Sequence, residues 1–379
     1  MPLLPHHPRR GLTLVELLVI TLVIAAVMVI FLPSTGRTHR GGARQIKDST
    51  QIRGVHQSLV LFAQNNNNVY PVPSELDLAN STLTNESAKD DLGSVYSILL
   101  YDGYIAPELL VSPAEQAPYL AAMYNYALSS PPNAANPAQA LWDPSLRGSS
   151  AEPGFARATG GAGIKPVGAL APGSPQSATY AYGNASYALM PFFGNRLPNW
   201  ADTASATQAI VGNRGPAYAV TLNKSVPLST LVRDANTMPG FHANTAKGTS
   251  SITLPMHGSI TAWEGNIAYN DNSVRFEGQP DPPLALWNFT GAGPIHTNNW
   301  QPDNLFVSED DYTIVGDSYP AAATSSMYGP ADTKSLKGVN PLRNTNNFLK
   351  TWVVQSTIPH DRTRTPPYAH TTSITFVVD

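Results

Sequence analysis

Cysteine is absent from the 379-residue chain. Disulfide scaffolds, zinc–thiolate sites, iron–sulfur ligation, lipid attachment at a cysteine and thiol catalysis are therefore excluded. Charge is scarce as well: 13% of residues are Asp, Glu, Lys or Arg, half the usual ~25%. That scarcity excludes a charged coiled coil, an ion-pair-laced surface and a charge-driven disordered tail. With 23 basic and 26 acidic side chains the net charge is −3. No basic face is available for nucleic acid, so no nucleic-acid partner is expected. In place of charge the chain carries 34 prolines and 27 asparagines. A polar, turn-rich chain of this kind points to an exported protein. At ~150 residues per domain, the length allows two domains or one elaborated one with a real core.

The first forty residues are the most informative. Residues 12–32, LTLVELLVITLVIAAVMVIFL, contain only Thr13, Glu16 and Thr21 as polar members. As a helix this run spans ~30 Å, the thickness of a bilayer core. Arg9 and Arg10 precede it and Arg37, Arg40 and Arg44 follow it, so basic residues flank both ends and do not set an orientation. A Sec signal peptide wants an unbroken apolar region followed by a small-x-small site, and neither is present. A twin-arginine signal starting at Arg9-Arg10 meets the same buried acid. A plain anchor gives no reason for Glu16, which costs ~2–3 kcal/mol in a spanning helix and marks function there.

The string Arg9-Arg10-Gly11-Leu12-Thr13-Leu14-Val15-Glu16-Leu17-Leu18-Val19-Ile20 resembles the processing signature of type IV prepilins and type II secretion pseudopilins. The resemblance implies a short cytoplasmic leader, cleavage after Gly11 by a prepilin peptidase, and methylation of the new N-terminus at Leu12. Glu16 then becomes the fifth mature residue, the acid that this family carries there. A new α-amine buried among apolar helices needs an anionic partner. A glutamate one turn into a neighbouring subunit's helix supplies it and sets the stagger between subunits. Pro33 falls at the 22nd mature position, near where pilins carry a helix-kinking proline, and Pro33 with Gly36 is expected to interrupt the helix.

Beyond that break, Ile52, Val55, Leu59, Phe62 and Ala63 form one helical stripe within residues 46–65. Asp48, Ser49 or Thr50 is expected to cap its start. The asparagines at 65–68 and then Pro71 and Pro73 stop it. His56 beside the stripe reads as a packed histidine, since no second ligand stands at i+4. Residues 92–105 read as a short amphipathic helix, a glycine turn and a strand. The passage resembles one in large-headed pseudopilins of planctomycete-like bacteria, with Ser112-Pro113 where those have Cys-Pro. Residues 128–178, rich in Pro, Ala, Gly and Ser, read as a surface insertion. Strands are expected within 180–193, at 209–214, around an Asp271-Asn272 turn in 251–277, at 303–307, at 351–354 and at 373–378. The 251–277 hairpin resembles the C-terminal hairpin of the same large-headed proteins. That resemblance marks His257 and Asp271 as its histidine and turn aspartate, with 13 residues between them and Asn272 in place of glycine.

Sequence motifs for chemistry are few. No H-E-x-x-H, P-loop, G-x-G-x-x-G or G-x-S-x-G occurs. Gly316-Asp317-Ser318 superficially resembles an esterase nucleophile block but lacks a downstream D-x-x-H and reads as a turn. Glu309, Asp310 and Asp311 are weak candidates for a Ca²⁺ loop and read first as a solvated acidic turn. His242, His257, His296, His360 and His370 show no metal-ligand spacing.

The expectation is an α+β protein of pilin-like plan. It comprises a leader at 1–11, an N-terminal transmembrane and assembly helix at 12–65, and a head at 66–379 built on an antiparallel sheet. The resemblance implies a structural, non-enzymatic subunit without a cofactor. It would be held in the inner membrane with its head in the periplasm, then extracted into a filament. The expected partners are the prepilin peptidase, other pilin-like subunits, and the assembly ATPase with its platform protein. A head this large favours a minor or specialised subunit. The reading from a different class is a membrane-tethered periplasmic binding module or hydrolase that uses the helix only as an anchor.

Overall fold

The structure is a computed structural model, and it describes residues 14–31, 38–84, 89–117, 120–148, 183–223, 226–231, 248–249, 251–288, 300–307, 346–354 and 374–377. The chain divides into two compact units, residues 1–43 and 44–379. Within the first lies α1 (Leu14–Phe31), an 18-residue helix with Glu16 as its one ionisable side chain. The second helix, α2 (Thr38–Asn65), begins in the first unit and runs on into the second. It starts well before residue 48, so the expected cap among Asp48, Ser49 and Thr50 is corrected. Ser49 and Thr50 instead turn their hydroxyls back onto the Ile46 carbonyl at 2.9 Å, and Asp48 is wholly buried.

The C-terminal stop falls where the asparagine run predicts it. α2 ends at Asn65, and Asn67 and Asn68 take left-handed φ values of 55° and 61°, which asparagine tolerates better than most residues. All five stripe residues, Ile52, Val55, Leu59, Phe62 and Ala63, are buried in the core. After the short α3 (Pro73–Leu76), α4 (Leu92–Tyr101) is capped by Asp91, whose side chain accepts from Gly93 N at 2.8 Å. Residues 92–100 of α4 are all buried, so this helix is central rather than amphipathic. Gly103 makes the turn at φ +74°. The strand expected next is instead a 3-10 turn at Pro107–Leu110, because Pro107 sits at its start, where a missing N–H costs nothing.

The sheet of the head is antiparallel, with four strands in the order β1 (Tyr187–Leu189), β2 (Ala209–Asn213), β5 (Gly265–Tyr269), β6 (Val274–Glu277). Three two-stranded ribbons accompany it: β3 (Tyr218–Asn223) with β4 (Val226–Leu231), β7 (Leu286–Asn288) with β8 (Trp300–Pro302), and β9 (Thr351–Val354) with β10 (Ile374–Val377). A bridge between Leu189 and Lys350 ties the lead-in of β9 to the edge of β1. The expected strand at 303–307 falls just before its place, at β8, and residues 303–307 turn away from it. Mixed helix and antiparallel sheet make the head α+β.

Large aromatic side chains fill the core, and several of their polar tips are satisfied by backbone. Trp200 donates to Pro71 O, Trp263 to Arg214 O and Trp352 to Asp90 O, at 2.8–2.9 Å. Tyr96 of α4 donates to Tyr187 O of β1 at 3.1 Å. Within the expected insertion, residues 128–148 contain only a 3-10 turn at Pro137–Gln139; residues 149–178 lie outside the described residues.

Candidate functional site

Two places carry the functional argument. The first is α1. Leu14, Val15, Leu17, Leu18, Val19, Ile20, Leu22 and Val23 are 47–79% exposed. Those positions cover every direction around the helix axis, so α1 is apolar all round rather than striped. Its one threonine needs no water, since Thr21 Oγ1 donates to the carbonyls of Leu17 and Leu18 at 3.1 and 2.9 Å. Glu16 lies in the first turn, exposed, where a carboxylate complements the positive end of the helix dipole. Side chains of α1 are described as far as Val23, and among the described residues no helix is long and apolar enough to cross a membrane. Gly11, Leu12 and Pro33 lie outside the described residues.

The second place is a buried polar junction between α2 and the sheet, centred on Asp48. Oδ1 of Asp48 accepts from Ser112 Oγ and, at 2.9 Å, from Tyr187 OH of β1. Oδ2 accepts from Asn266 Nδ2 of β5 at 2.7 Å and faces His257 Nε2 at 3.5 Å. Burial on its own raises the Asp48 carboxyl, but the bonds from His257, Ser112 and Asn266 outweigh it and hold the group below its ordinary value. Tyr187 is pushed the other way, well above the ordinary phenol, by burial and by the Asp48 charge. It therefore stays a donor, and its hydroxyl also lies 3.1 Å from Gln51 Oε1.

The protonation of His257 at Nε2 follows from its neighbours. Asn213 Oδ1 accepts from Asn266 N at 2.6 Å, which fixes that atom as oxygen. His257 Nε2, 3.1 Å from the same oxygen, must carry hydrogen and donates toward both Asn213 and Asp48. One carboxylate thus fastens α2 to β1, β5, the segment after the Pro107–Leu110 turn and the loop that carries His257.

His257 and Asp271, the two residues marked in the 251–277 hairpin, stand at different places in the head. His257 lies by Asn266 near the start of β5, whereas Asp271 lies beyond its end, in the turn to β6. There Asp271 Oδ1 accepts from Ser273 N at 2.9 Å and Ser273 Oγ at 2.6 Å, and Asn272 takes a φ of 64°. The hairpin turn is where the sequence placed it, and Asp271 shapes it. The partner of His257 is Asp48, which no motif announced. Its spacing, four residues before Ile52 and seven before Val55, puts Asp48 on the face of the apolar stripe and was the one available signal.

Among the described residues no three ligand-type side chains gather to hold a metal ion. Glu309, Asp310, Asp311, Gly316, Asp317 and Ser318 lie outside the described residues, as do His242, His296, His360 and His370. Compared with family models, curated proteins and solved structures, the chain matches none.

Proposed function

We propose that this chain is a pilin-like structural subunit of minor or specialised type. It would serve a type II secretion pseudopilus or a type IV pilus-like filament and be processed after Gly11 by a prepilin peptidase. The observation that carries the reading is the helix α1, apolar on every side, with one acid in its first turn. Eight large apolar side chains in water are unfavourable at ~25 cal/mol per Å². Lipid covers them before assembly, and the same helices of other copies cover them afterwards. Glu16 serves the second state by meeting the α-amine of a neighbouring subunit.

Support of a second kind comes from the head, where an extended helix packs its stripe against an antiparallel sheet. In this reading the protein does no catalysis and needs no cofactor. Mass spectrometry of the N-terminus of cell-derived protein tests it: a methylated Leu12 is the expected result. An intact Met1, or a cut near residue 36, would overturn it in favour of an anchored or exported module.

A further inference from the structure

His56 lies on α2 facing the β5–β6 turn, wholly buried. Its Nδ1 is 3.2 Å from Asn272 Oδ1, and its Nε2 is 3.5 Å from Tyr70 OH. The orientation of this network is set from outside. Asn270 Nδ2 donates to Ala201 O and Thr203 Oγ1 at 2.8 Å and to Gln208 Oε1 at 3.1 Å. Asn270 Oδ1 therefore points at Tyr70, whose hydroxyl donates to it at 2.5 Å.

With its hydrogen committed to Asn270, the Tyr70 oxygen shows only lone pairs to His56 Nε2. Asn272 Oδ1 likewise asks for a hydrogen on Nδ1. A neutral ring has one hydrogen for two acceptors, and a charged ring satisfies both at the cost of a buried charge. The groups facing the ring are Tyr70, from the loop after α2, Asp271 in the turn, and Asp202. Tyr70 stays protonated, raised by burial and then by Asp202. The two aspartates attract a charged ring, but burial outweighs them and the bonds to Asn272 and Asn270, so the balance lowers the His56 imidazolium.

We propose that His56 is the proton-binding group of a clamp that holds the β5–β6 turn on α2 at neutral pH and releases it on acidification. The closed clamp binds the proton less well than the open one, where water solvates the ring. Between the two affinities, each unit fall in pH favours opening by about tenfold. Opening separates His56 from Asn272 and frees Tyr70, which packs edge-on against Trp200 at 5.2 Å.

The test is hydrogen exchange of the full chain in detergent between pH 7.5 and 5, corrected for the intrinsic exchange rate. The expected result is that protection of amides in residues 266–274 falls as pH drops below the ordinary histidine range of ~6.5. His56→Gln, which keeps an amide donor for Asn272 but no titratable proton, should abolish that fall. Equal pH responses in wild type and H56Q would overturn the clamp. A ring titration by NMR on the unsubstituted protein decides independently of the variant. A His56 midpoint below ~6.5 that tracks the exchange supports the proposal, and a midpoint at or above it overturns it.

Discussion

Asp48 of α2 and His257 meet side chain to side chain inside the head, with Oδ2 and Nε2 3.5 Å apart and both groups at most 2% exposed. The contact joins residues more than two hundred positions apart and sits among donors from Ser112, Tyr187 and Asn266. Asp48→Ala would strand all of them in the core. Breaking one partner of a buried charged network costs about 3–5 kcal/mol. Chemical denaturation of the head should show a loss of that order, while Asp271→Ala, in an exposed turn, should cost far less.

The same carboxylate sets an acid limb. Its folded value lies below the ordinary 3.8, so the unfolded chain takes up the proton first. The stability it contributes is fully present above the unfolded value and is lost as pH falls from there through the lowered folded value. Thermal melts from pH 6 to 2 should show this limb in the wild type. Asp48→Asn, less stable throughout, should show a shallower slope below pH 4, and an unchanged slope would assign the limb to other carboxylates.

Gly93 tests the packing of α4. A Cβ placed there would lie 2.6 Å from Leu146 O, 2.7 Å from Gly148 N and 3.0 Å from Arg147 Cα. These are backbone atoms and cannot swing aside. Gly93→Ala should therefore destabilise the head by about 1–3 kcal/mol, reversing the gain that alanine usually brings to a helix. Equilibrium unfolding of the two proteins measures the difference.

Trp352 connects the late strand β9 to the early chain. Its indole donates to Asp90 O at 2.8 Å and stands edge-on to Phe192 and Phe193, both at 5.7 Å. Trp352→Ala removes a fully buried ring and should cost about 3–5 kcal/mol. Trp352→Phe should recover part of that loss by keeping the ring contacts while removing the indole bond to Asp90 O. Calorimetric midpoints of the three proteins order them.

Glu16→Ala addresses assembly rather than folding. The substitution lies in α1, in the first of the two compact units. Head stability should be unchanged, whereas recovery of the protein in sheared filaments should drop at least tenfold. Incorporation at the wild-type level would remove the proposed pairing with a neighbouring α-amine.

Local patterns carried the helices and the turns, because those depend on residues close in sequence. The stripe from Ile52 to Ala63 has the helical period, and all of it is buried. The asparagine run ends α2, and Asp271 with Asn272 makes the β5–β6 turn. Where local signals compete, the reading fails. A polar Asp48 looked like a cap only because nothing nearby showed that α2 already extends back to Thr38. Hydrophobic content alone suggested strands after the Gly103 turn and at residues 303–307. Pro107 turned the first into a 3-10 element, and pairing with β7 placed the strand before the second, at Trp300–Pro302. The ribbon of β3 and β4 was missed, because its Pro227 and its short turn obscure the alternation.

The scarcity of charge and absence of cysteine left a head without disulfides and with few charges to pair, and the sequence by itself determined that much. It also determined an apolar helix with a single acid, whose chemistry is written in consecutive residues. Only the tertiary structure decided which of the few charges matter inside. Asp48, Tyr187 and the segment that carries His257 and Asn266 lie far apart in the chain and converge because α2 lies across the sheet. A buried carboxylate can keep its charge only where several separate segments aim their donors at it.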